Sequence, residues 1–243
     1  MKEQVHEEPG IVRAAEQSMR RWTWQEAHGR AMHIGSVPKG KIAIGPYVTI
    51  SREAGAGGSE IGRIVGEKLG WEVLDKNVLD QMADRYHLSK EMLKLIDETP
   101  GNWVFDVLGA WMDPTLIPHE RYVIALGRVA LAAARRGRVI LVGRGARFFL
   151  PSDQGLAVRI IAPLVYRVDH IRQERGSTAA EARTWVENAD RERREFVRKY
   201  FHRDVADPHL YDLTINVDHV GPMGAVESIC AAVGEEQHAL KPA

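Results

Sequence analysis

The sequence predicts an α/β fold: a parallel β-sheet with helices on both faces and a helical lid. Short, strongly apolar segments such as Val139–Val142 alternate with amphipathic helical patterns along most of the chain. One of these segments, at residues 47–51, leads through a glycine-dense turn into a helix. A long polar helix at about 178–202 supplies the candidate lid. Strands separated by helices favour parallel pairing, because each crossover helix returns the chain to the same end of the sheet.

The elements follow one another regularly from residue 46 onward. A strand at 47–51 precedes a helix at about 59–69, where Ile61, Ile64, Val65 and Leu69 share one face. A short strand at 71–74 is followed by one or two helices at 77–97, a helix at about 119–135 and the strand at 139–142. Then come a strand at 158–162, a helix at about 164–175, the polar helix, a strand at 213–217 and a last helix at about 222–234.

Residues 1–45 differ from the rest of the chain. Their apolar residues are scattered among charges, and a stretch rich in Gly, Pro and Lys from residue 35 breaks any helix. We interpret residues 1–45 as an N-terminal helical extension that precedes a domain at 46–243. It either packs on that domain, pairs with a second subunit in a homodimer, or is a partly ordered tail.

Composition gives no support to several classes of function, although a local basic cleft stays possible. Lys+Arg and Asp+Glu both total 33, so a net charge of zero gives no support to binding of nucleic acid. The single cysteine, Cys230, lies in an apolar helical run and is expected to be a buried residue rather than a nucleophile. The histidines show no metal-ligand spacing, so no zinc site is predicted. Without an apolar run of about 18 residues or a signal-peptide pattern, we expect a cytoplasmic protein with no membrane partner.

The glycine-dense turn at residues 52–59 is a candidate phosphate-binding loop. A strand, a glycine loop and a helix together direct backbone N–H groups and the positive end of the helix at one point. Against the P-loop pattern G-x-x-x-x-G-K-[ST], Gly57 and Ser59 are in place, whereas Arg52 replaces the first Gly and Gly58 replaces the Lys. Ser59 is then the residue placed to bind Mg²⁺. The alternative is a tight turn that needs glycine for its dihedral angles alone.

Polar residues lie next to three further strands. Asp75 ends the short strand at 71–74, where it either faces a ligand crevice or caps the next helix. Arg144 and Arg147 follow the strand at 139–142, and the glycines on both sides of Arg144 favour exposure of its guanidinium to an anion. Asp207 and Asp212 precede the last strand and are expected to position a turn.

The polar helix at 178–202 carries many arginines interleaved with acids. Such a run is usually a solvated helix face stabilised by i,i+4 pairs. An arginine-bearing helix is also suited to close over a transferring phosphoryl group and exclude water. Arg191 and Arg194 lie at i and i+3 and share a face, so they are the candidate lid arginines.

Four segments, in this order, closely resemble the cytidylate kinase-like family of P-loop nucleoside monophosphate kinases. They are the glycine-loop segment from Ile50, Leu69-Gly-Trp-Glu-Val-Leu-Asp-Lys, Val142-Gly-Arg-Gly-Ala, and the segment from Asp207 to Asn216. The resemblance covers about residues 46–235 and implies a P-loop NTPase three-layer fold that uses ATP and Mg²⁺. It implies a phosphate loop made of Gly55, Ala56, Gly57, Gly58 and Ser59, in which Ser59 is also the metal ligand. It further implies an acceptor site with Asp75 and Arg144, and lid arginines at Arg191 and Arg194.

The chain departs from true cytidylate kinases at two positions. The P-loop Lys is absent at Gly58, and Val142 stands where an acidic residue is usual. Arg52 is therefore a candidate replacement for the missing charge. The expected function is ATP-dependent phosphorylation of a nucleoside monophosphate, CMP or dCMP. The alternatives are a kinase of another small molecule, whose pocket the aromatic segment within 75–118 would shape, and a nucleotide-binding regulatory or scaffold protein with little turnover.

Overall fold

The computed structural model describes residues 44–86, 118–151 and 154–239. These residues belong to two compact units. One contains Gly45–Asp75 and the chain from Arg136 onward, and the other contains the described residues between Lys76 and Arg135. The N-terminal extension, the aromatic-rich segment and the second half of the helices predicted at 77–97 lie outside the described residues.

Within the described residues, five parallel strands form one sheet in the order β2-β3-β1-β4-β5. The strands are β1 (Tyr47–Arg52), β2 (Glu72–Leu74), β3 (Val139–Val142), β4 (Leu156–Ile161) and β5 (Leu213–Asn216). The central strand β1 pairs with β3 and β4, so that Ile50 lies opposite both Val142 and Val158. The predicted α/β fold with a parallel sheet is confirmed, and each predicted strand is present.

The helices also follow the predicted order. They are α1 (Gly58–Leu69), α2 (Lys76–Tyr86), α3 (Pro118–Arg136), α4 (Ala146–Phe149), α5 (Leu164–Arg175), α6 (Ala179–Phe201) and α7 (Val217–Ala239). The short helix α4 was not predicted, since four residues are too few to show a helical period. Helix α7 is interrupted at Gly221, whose φ of 72° is not helical, so its main part begins at about residue 222, as predicted, and a short helical turn at 217–220 precedes it. None of the described helices is long and apolar enough to cross a membrane.

One face of the sheet packs against α1 and α7. Alternate residues of β1, such as Val48 and Ile50, are buried with Ile61 and Val65 of α1. The partners from α7 are Ala225, Val226, Ile229 and Val233. Burying each large apolar side chain contributes about 1.5–3 kcal/mol, so this layer fixes α1 directly behind β1. The glycine loop between them is thereby held at the carboxyl end of the central strand.

A second, smaller apolar cluster joins α5 and α6 to the start of the glycine loop. Ala54 of the loop is buried with Ile171 of α5 and with Ala182 and Val186 of α6. Helix α6 begins at a capping box in which Thr178 accepts from the backbone N–H of Glu181 and Glu181 accepts from that of Thr178. The apolar cluster holds both helices beside the loop, and the capping box fixes where α6 begins.

The other unit contributes α2 and α3 to the described residues. Leu79 of α2 and Leu126 and Val129 of α3 are fully buried. The hydroxyl of Tyr122 donates a 2.6 Å hydrogen bond to Asp80 Oδ1, which satisfies a buried carboxylate within this unit.

Candidate active site

The loop between β1 and α1 presents backbone donors at the start of a helix. Gly55 and Gly57 have φ values of 79° and 73°, a backbone conformation that residues with a Cβ rarely adopt. Gly57 is the N-cap of α1, and no side chain of the described residues caps the helix there. Ser59 is exposed on the first helical turn. The N–H groups of this turn therefore point outward with the positive end of the helix, an arrangement suited to phosphate.

A buried ion pair holds the first part of the loop. Asp190 of α6 accepts a 2.8 Å hydrogen bond from the backbone N–H of Ala54. Arg167 of α5 donates from Nη1 to the Ala54 carbonyl at 3.1 Å and to Asp190 Oδ2 at 2.5 Å. A Cβ at Gly55 would lie 2.6 Å from the Arg167 carbonyl oxygen, so glycine is required for this close approach. Helices α5 and α6 are thus bonded directly to the loop.

Glu53 links the loop to the end of β4. Its carboxylate accepts from the backbone N–H of Ala162 at 3.2 Å and lies 3.4 Å from Arg167 Nε. The buried Arg159 lies 3.9 Å away and also donates to Ser51 at 3.3 Å. These bonds leave Glu53 a structural residue that fixes where the loop departs from the sheet.

Arg52 ends β1 and runs across the site. A Cβ placed on Gly58 would lie 2.6 Å from Arg52 Cβ and 3.0 Å from its Cγ. A Cβ on Gly143, the first residue after β3, would overlap the Nη1 atom and lie 2.8 Å from Cζ. The side chain therefore passes along the start of α1, and its guanidinium lies over the turn that contains Arg144.

Arg144 occupies a backbone conformation that non-glycine residues rarely adopt. Its φ is 50°, and its neighbours Gly143 and Gly145 have φ values of 83° and 68°. A left-handed conformation costs a residue with a Cβ about 1–2 kcal/mol. Phe201 of α6 packs against this turn, since a Cβ on Gly145 would lie 2.6 Å from its Cε2. The strained turn thus sets the position of the half-buried Arg144, as is common at functional sites.

Arg193 of α6 points into the same region, although the sequence did not single it out. Its Nη1 donates a 3.1 Å hydrogen bond to the carbonyl of Arg52 and lies 3.9 Å from Asp190. Burial lowers the pKa of Arg193, Asp190 opposes that effect, and the nearby charges of Arg144 and Arg167 lower it further. The guanidinium remains protonated all the same. Arg52, Arg144 and Arg193 are thus brought together.

The two predicted lid arginines lie elsewhere on α6. Arg191 is exposed and donates to Asn188 on its own helix at 2.7 Å, and Arg194 is exposed as well. The periodicity of α6 carried the information that would have found Arg193. Val186 and Val197 are buried and share a helical face with Asp190 and Arg193.

Asp75 lies at the same edge of the sheet as the arginines. It directly follows β2, which pairs with β3, the strand that leads to Arg144. The carboxyl ends of parallel strands open onto a common ligand crevice. By contrast, the remaining candidates have turn roles. Arg147 donates to the Leu210 carbonyl at 3.1 Å, Asp207 caps a 3₁₀ turn at Pro208–Leu210, and Asp212 accepts from the Ala157 N–H at 2.7 Å.

The donor groups fit a nucleotide with Mg²⁺ better than a metal held by the protein alone. Among the described residues no three His, Cys, Asp or Glu side chains form a group that could hold a metal ion. Mg²⁺ in phosphoryl-transfer sites typically takes one or two protein ligands and completes its shell with phosphate oxygens and water. The exposed hydroxyl of Ser59, beside the uncapped start of α1, meets that requirement.

The parallel sheet, the uncapped glycine loop and the converging arginines are features of an α/β protein with the P-loop kinase fold. The sequence profile of the cytidylate kinase-like family matches residues 47–219, and the chain belongs to this family. A cytidylate kinase from Thermococcus kodakarensis is 25% identical over 137 residues, which span 54% of this chain and 70% of that enzyme.

A solved structure has the same fold: an uncharacterized protein from Eubacterium ventriosum superposes with a TM-score of 0.61 at 22% identity, over 78% of this chain and 98% of that one. A shikimate kinase from Acinetobacter baumannii gives a TM-score of 0.44 at 19% identity, over 82% of this chain and 98% of that one.

Proposed function

We propose that the protein is an ATP-dependent phosphotransferase that acts on a nucleoside monophosphate, CMP or dCMP. The observation that carries the proposal is the convergence of Arg52, Arg144 and Arg193 beside the uncapped start of α1. Transfer of a phosphoryl group needs positioning and stabilisation of negative charge more than it needs a general base. Fixed arginines next to a phosphate-binding loop provide both.

Each residue has a distinct role in this proposal. The N–H groups of Gly55 and of residues 57–59 hold the donor phosphates, whereas that of Ala56 donates to the Glu53 carbonyl at 3.3 Å. Ser59 would contribute its hydroxyl to Mg²⁺, which when bound would neutralise charge on those phosphates. Arg144 holds the phosphate of the acceptor, and Asp75 accepts a hydrogen bond from its base or ribose. An acceptor phosphate oxygen forms a bond to the γ-phosphorus while the bond from that phosphorus to the β–γ bridging oxygen breaks. ADP leaves, and the acceptor gains the phosphoryl group.

Arg52 and Arg193 stabilise the charge that develops during transfer. Arg193 is held in place by Asp190 and by the Arg52 carbonyl, so little reorganisation is needed when that charge appears. Helix α6 supplies Arg193 in place of the exposed Arg191 and Arg194. In this proposal α5 and α6 form the lid, and their bonds to Ala54 couple closure to the phosphate loop.

The direct test is Mg²⁺-dependent formation of ADP from ATP across a panel of ribo- and deoxynucleoside monophosphates. We expect stimulation by CMP or dCMP and little by the other acceptors. Chelation of Mg²⁺ with EDTA should abolish the stimulation. A flat panel, in a protein that binds ATP, would contradict the proposed acceptor.

A second candidate function follows from Gly58, which stands where a P-loop kinase has lysine. A nucleotide-binding regulatory protein with little turnover needs the loop to bind the nucleotide but does not need the lysine charge. Binding of ATP with no acceptor-dependent release of ADP, for nucleoside monophosphates and for small-molecule acceptors alike, would favour this function. The residues that would contact a partner protein, including the N-terminal extension, lie outside the described part of the chain.

A further inference from the structure

Two glycines leave open the space that the side chain of Arg52 occupies. At Gly58, the first residue of α1, an added Cβ would lie 2.6 Å from Arg52 Cβ and 3.0 Å from Cγ. At Gly143, an added Cβ would lie 2.8 Å from Arg52 Cζ and 3.2 Å from Nη2. Carbon atoms at these separations overlap, since non-bonded carbons prefer about 3.5–4.0 Å. Arg52 and any side chain at position 58 therefore exclude one another, and a side chain at position 143 would displace the Arg52 guanidinium.

Position 58 is the lysine position of the P-loop pattern, so the missing lysine and the arginine are one structural feature. We propose that Arg52 is the residue that supplies the lysine's charge, delivered from the end of β1 instead of from α1. Gly58 and Gly143 are then positioning residues that hold Arg52. This inference rests on the proposed phosphotransferase function.

The anchoring of Arg52 supports a catalytic use of its guanidinium. Its carbonyl accepts from Arg193 at 3.1 Å, its Cβ and Cγ lie against Gly58, and its guanidinium lies against Gly143. Gly143 in turn precedes Arg144, the residue proposed to hold the acceptor phosphate. A charge fixed between the donor loop and the acceptor arginine lies where the phosphoryl group must pass. Such fixed charges stabilise a transition state without reorganisation.

The test exchanges the two residues. In Arg52→Gly the charge is removed, and in Arg52→Gly/Gly58→Lys a lysine is added at the position where P-loop kinases carry it. The matched control is Arg52→Ala/Gly58→Lys, which has the same charge but keeps a Cβ at position 52. Because the clash at 2.6 Å is between the two Cβ atoms, alanine at position 52 does not relieve it.

Binding of tripolyphosphate with Mg²⁺, followed by calorimetry, and turnover with CMP are the measurements. We expect Arg52→Gly to weaken binding about tenfold to a hundredfold, the worth of one hydrogen bond to a charged group. The exchange variant should recover most of the affinity and part of kcat. The alanine control should stay close to Arg52→Gly. Equal behaviour of the two double variants, or an exchange variant no better than Arg52→Gly, would overturn the inference.

A single substitution tests the positioning role should Arg52→Gly fold poorly. Gly58→Ala keeps Arg52 but forces its Cβ aside, so kcat should fall at least about tenfold, with KM for CMP changed less. Gly234→Ala is the control, because nothing lies within 4 Å of a Cβ there. Gly58→Ala with wild-type kcat would contradict the inference. A wild-type protein that binds neither tripolyphosphate nor ATP would instead refute the proposed function itself.

Discussion

At the scale of single residues, Arg193 is the side chain whose surroundings most resemble those of a catalytic arginine. It is half-buried, paired with Asp190 and bonded to the carbonyl of Arg52. Arg193→Met keeps much of the apolar stem and removes the charge. We expect kcat to fall about a hundredfold or more, because the lost donor acts on charge that develops in the transition state. Steady-state kinetics with CMP measures the change.

The exposed arginines of the same helix are the controls for that prediction. Arg191→Met and Arg194→Met remove a charge of the same kind from α6 without touching the loop. Their kcat values should stay within about twofold of the wild type, as for most surface substitutions. A loss in Arg194→Met as large as that in Arg193→Met would contradict the assignment.

The sequence identified two of the three arginines of the site, Arg52 and Arg144, and missed Arg193. Arg52 and Arg144 follow apolar strands, and the ends of parallel strands are recognisable from hydrophobic pattern alone. Arg193 was missed because only a few apolar residues, Ala182, Val186 and Val197, mark the buried face of α6 among its many charges. The contact of Arg52 with Gly58 and Gly143 lay beyond prediction, since it joins three separate elements.

Cys230 illustrates a residue prediction that chemistry can check. It is half-buried on α7 and packs against the sheet core, and burial raises the pKa of its thiol. A raised pKa means that less thiolate is present at neutral pH, so reaction with a thiol reagent should be slow and should accelerate above pH 9. The protonated thiol stabilises the fold below the unfolded pKa, and this stabilisation is lost as pH rises through the folded value.

The measurement is the rate of thiol labelling of the native protein between pH 7 and pH 10, with the urea-unfolded chain as reference. Cys230→Ala should leave turnover with CMP unchanged. Native labelling at pH 7 as fast as in the unfolded chain would show that the thiol is neither buried nor shifted.

At the scale of elements, the carboxylate of Asp190 is one of the groups that attach helices α5 and α6 to the phosphate loop. Asp190 bonds to Arg167 and to the backbone of Ala54, and its side chain and that of Arg167 are 12% and 10% exposed. Asp190→Ala leaves a buried arginine without its closest partner. We expect a loss of about 3 kcal/mol in the free energy of unfolding and a loss of turnover, because the loop loses its anchor.

Glu187 offers a matched control on the same helix. It pairs with Arg183 at 2.9 Å, but both side chains are more than half exposed. Glu187→Ala should change stability by no more than about 0.5 kcal/mol, as solvent screens such pairs. Urea unfolding of both variants measures the difference. Equal stabilities would show that the buried pair does not hold the lid helices to the loop.

The elements themselves were predicted more completely than the turns and contacts between them. Apolar strands and amphipathic helices such as α1 and α3 show their period in the sequence, and they begin and end within a few residues of prediction. What periodicity does not carry is how elements meet. The helical turn that precedes Gly221 in α7 and the turn at Gly143, Arg144 and Gly145, with three positive φ values in succession, show no period in the sequence.

At the scale of the whole molecule, the balance of charge conceals a local imbalance. Lys+Arg and Asp+Glu each total 33, yet Arg52, Arg144, Arg167 and Arg193 gather at one edge of the sheet. Two acids beside this group, Glu53 and Asp190, are engaged with Arg159, Arg167 and the loop backbone. A concentration of positive charge of this kind attracts a polyanion without making the protein basic as a whole.

Two measurements on the intact protein follow from that imbalance. MgATP at about a hundred times its Kd should stabilise the fold by about 2.7 kcal/mol, seen as a higher Tm, because a ligand of the native state alone shifts unfolding by mass action. Raising the salt concentration from 50 mM to about 500 mM should weaken ATP binding, since screening shortens the reach of the arginines. CMP alone should raise Tm less than MgATP, because it engages the acceptor arginine and not the loop. A Tm that responds to neither nucleotide would show that this charged edge binds no phosphate, and the arginines would then be structural.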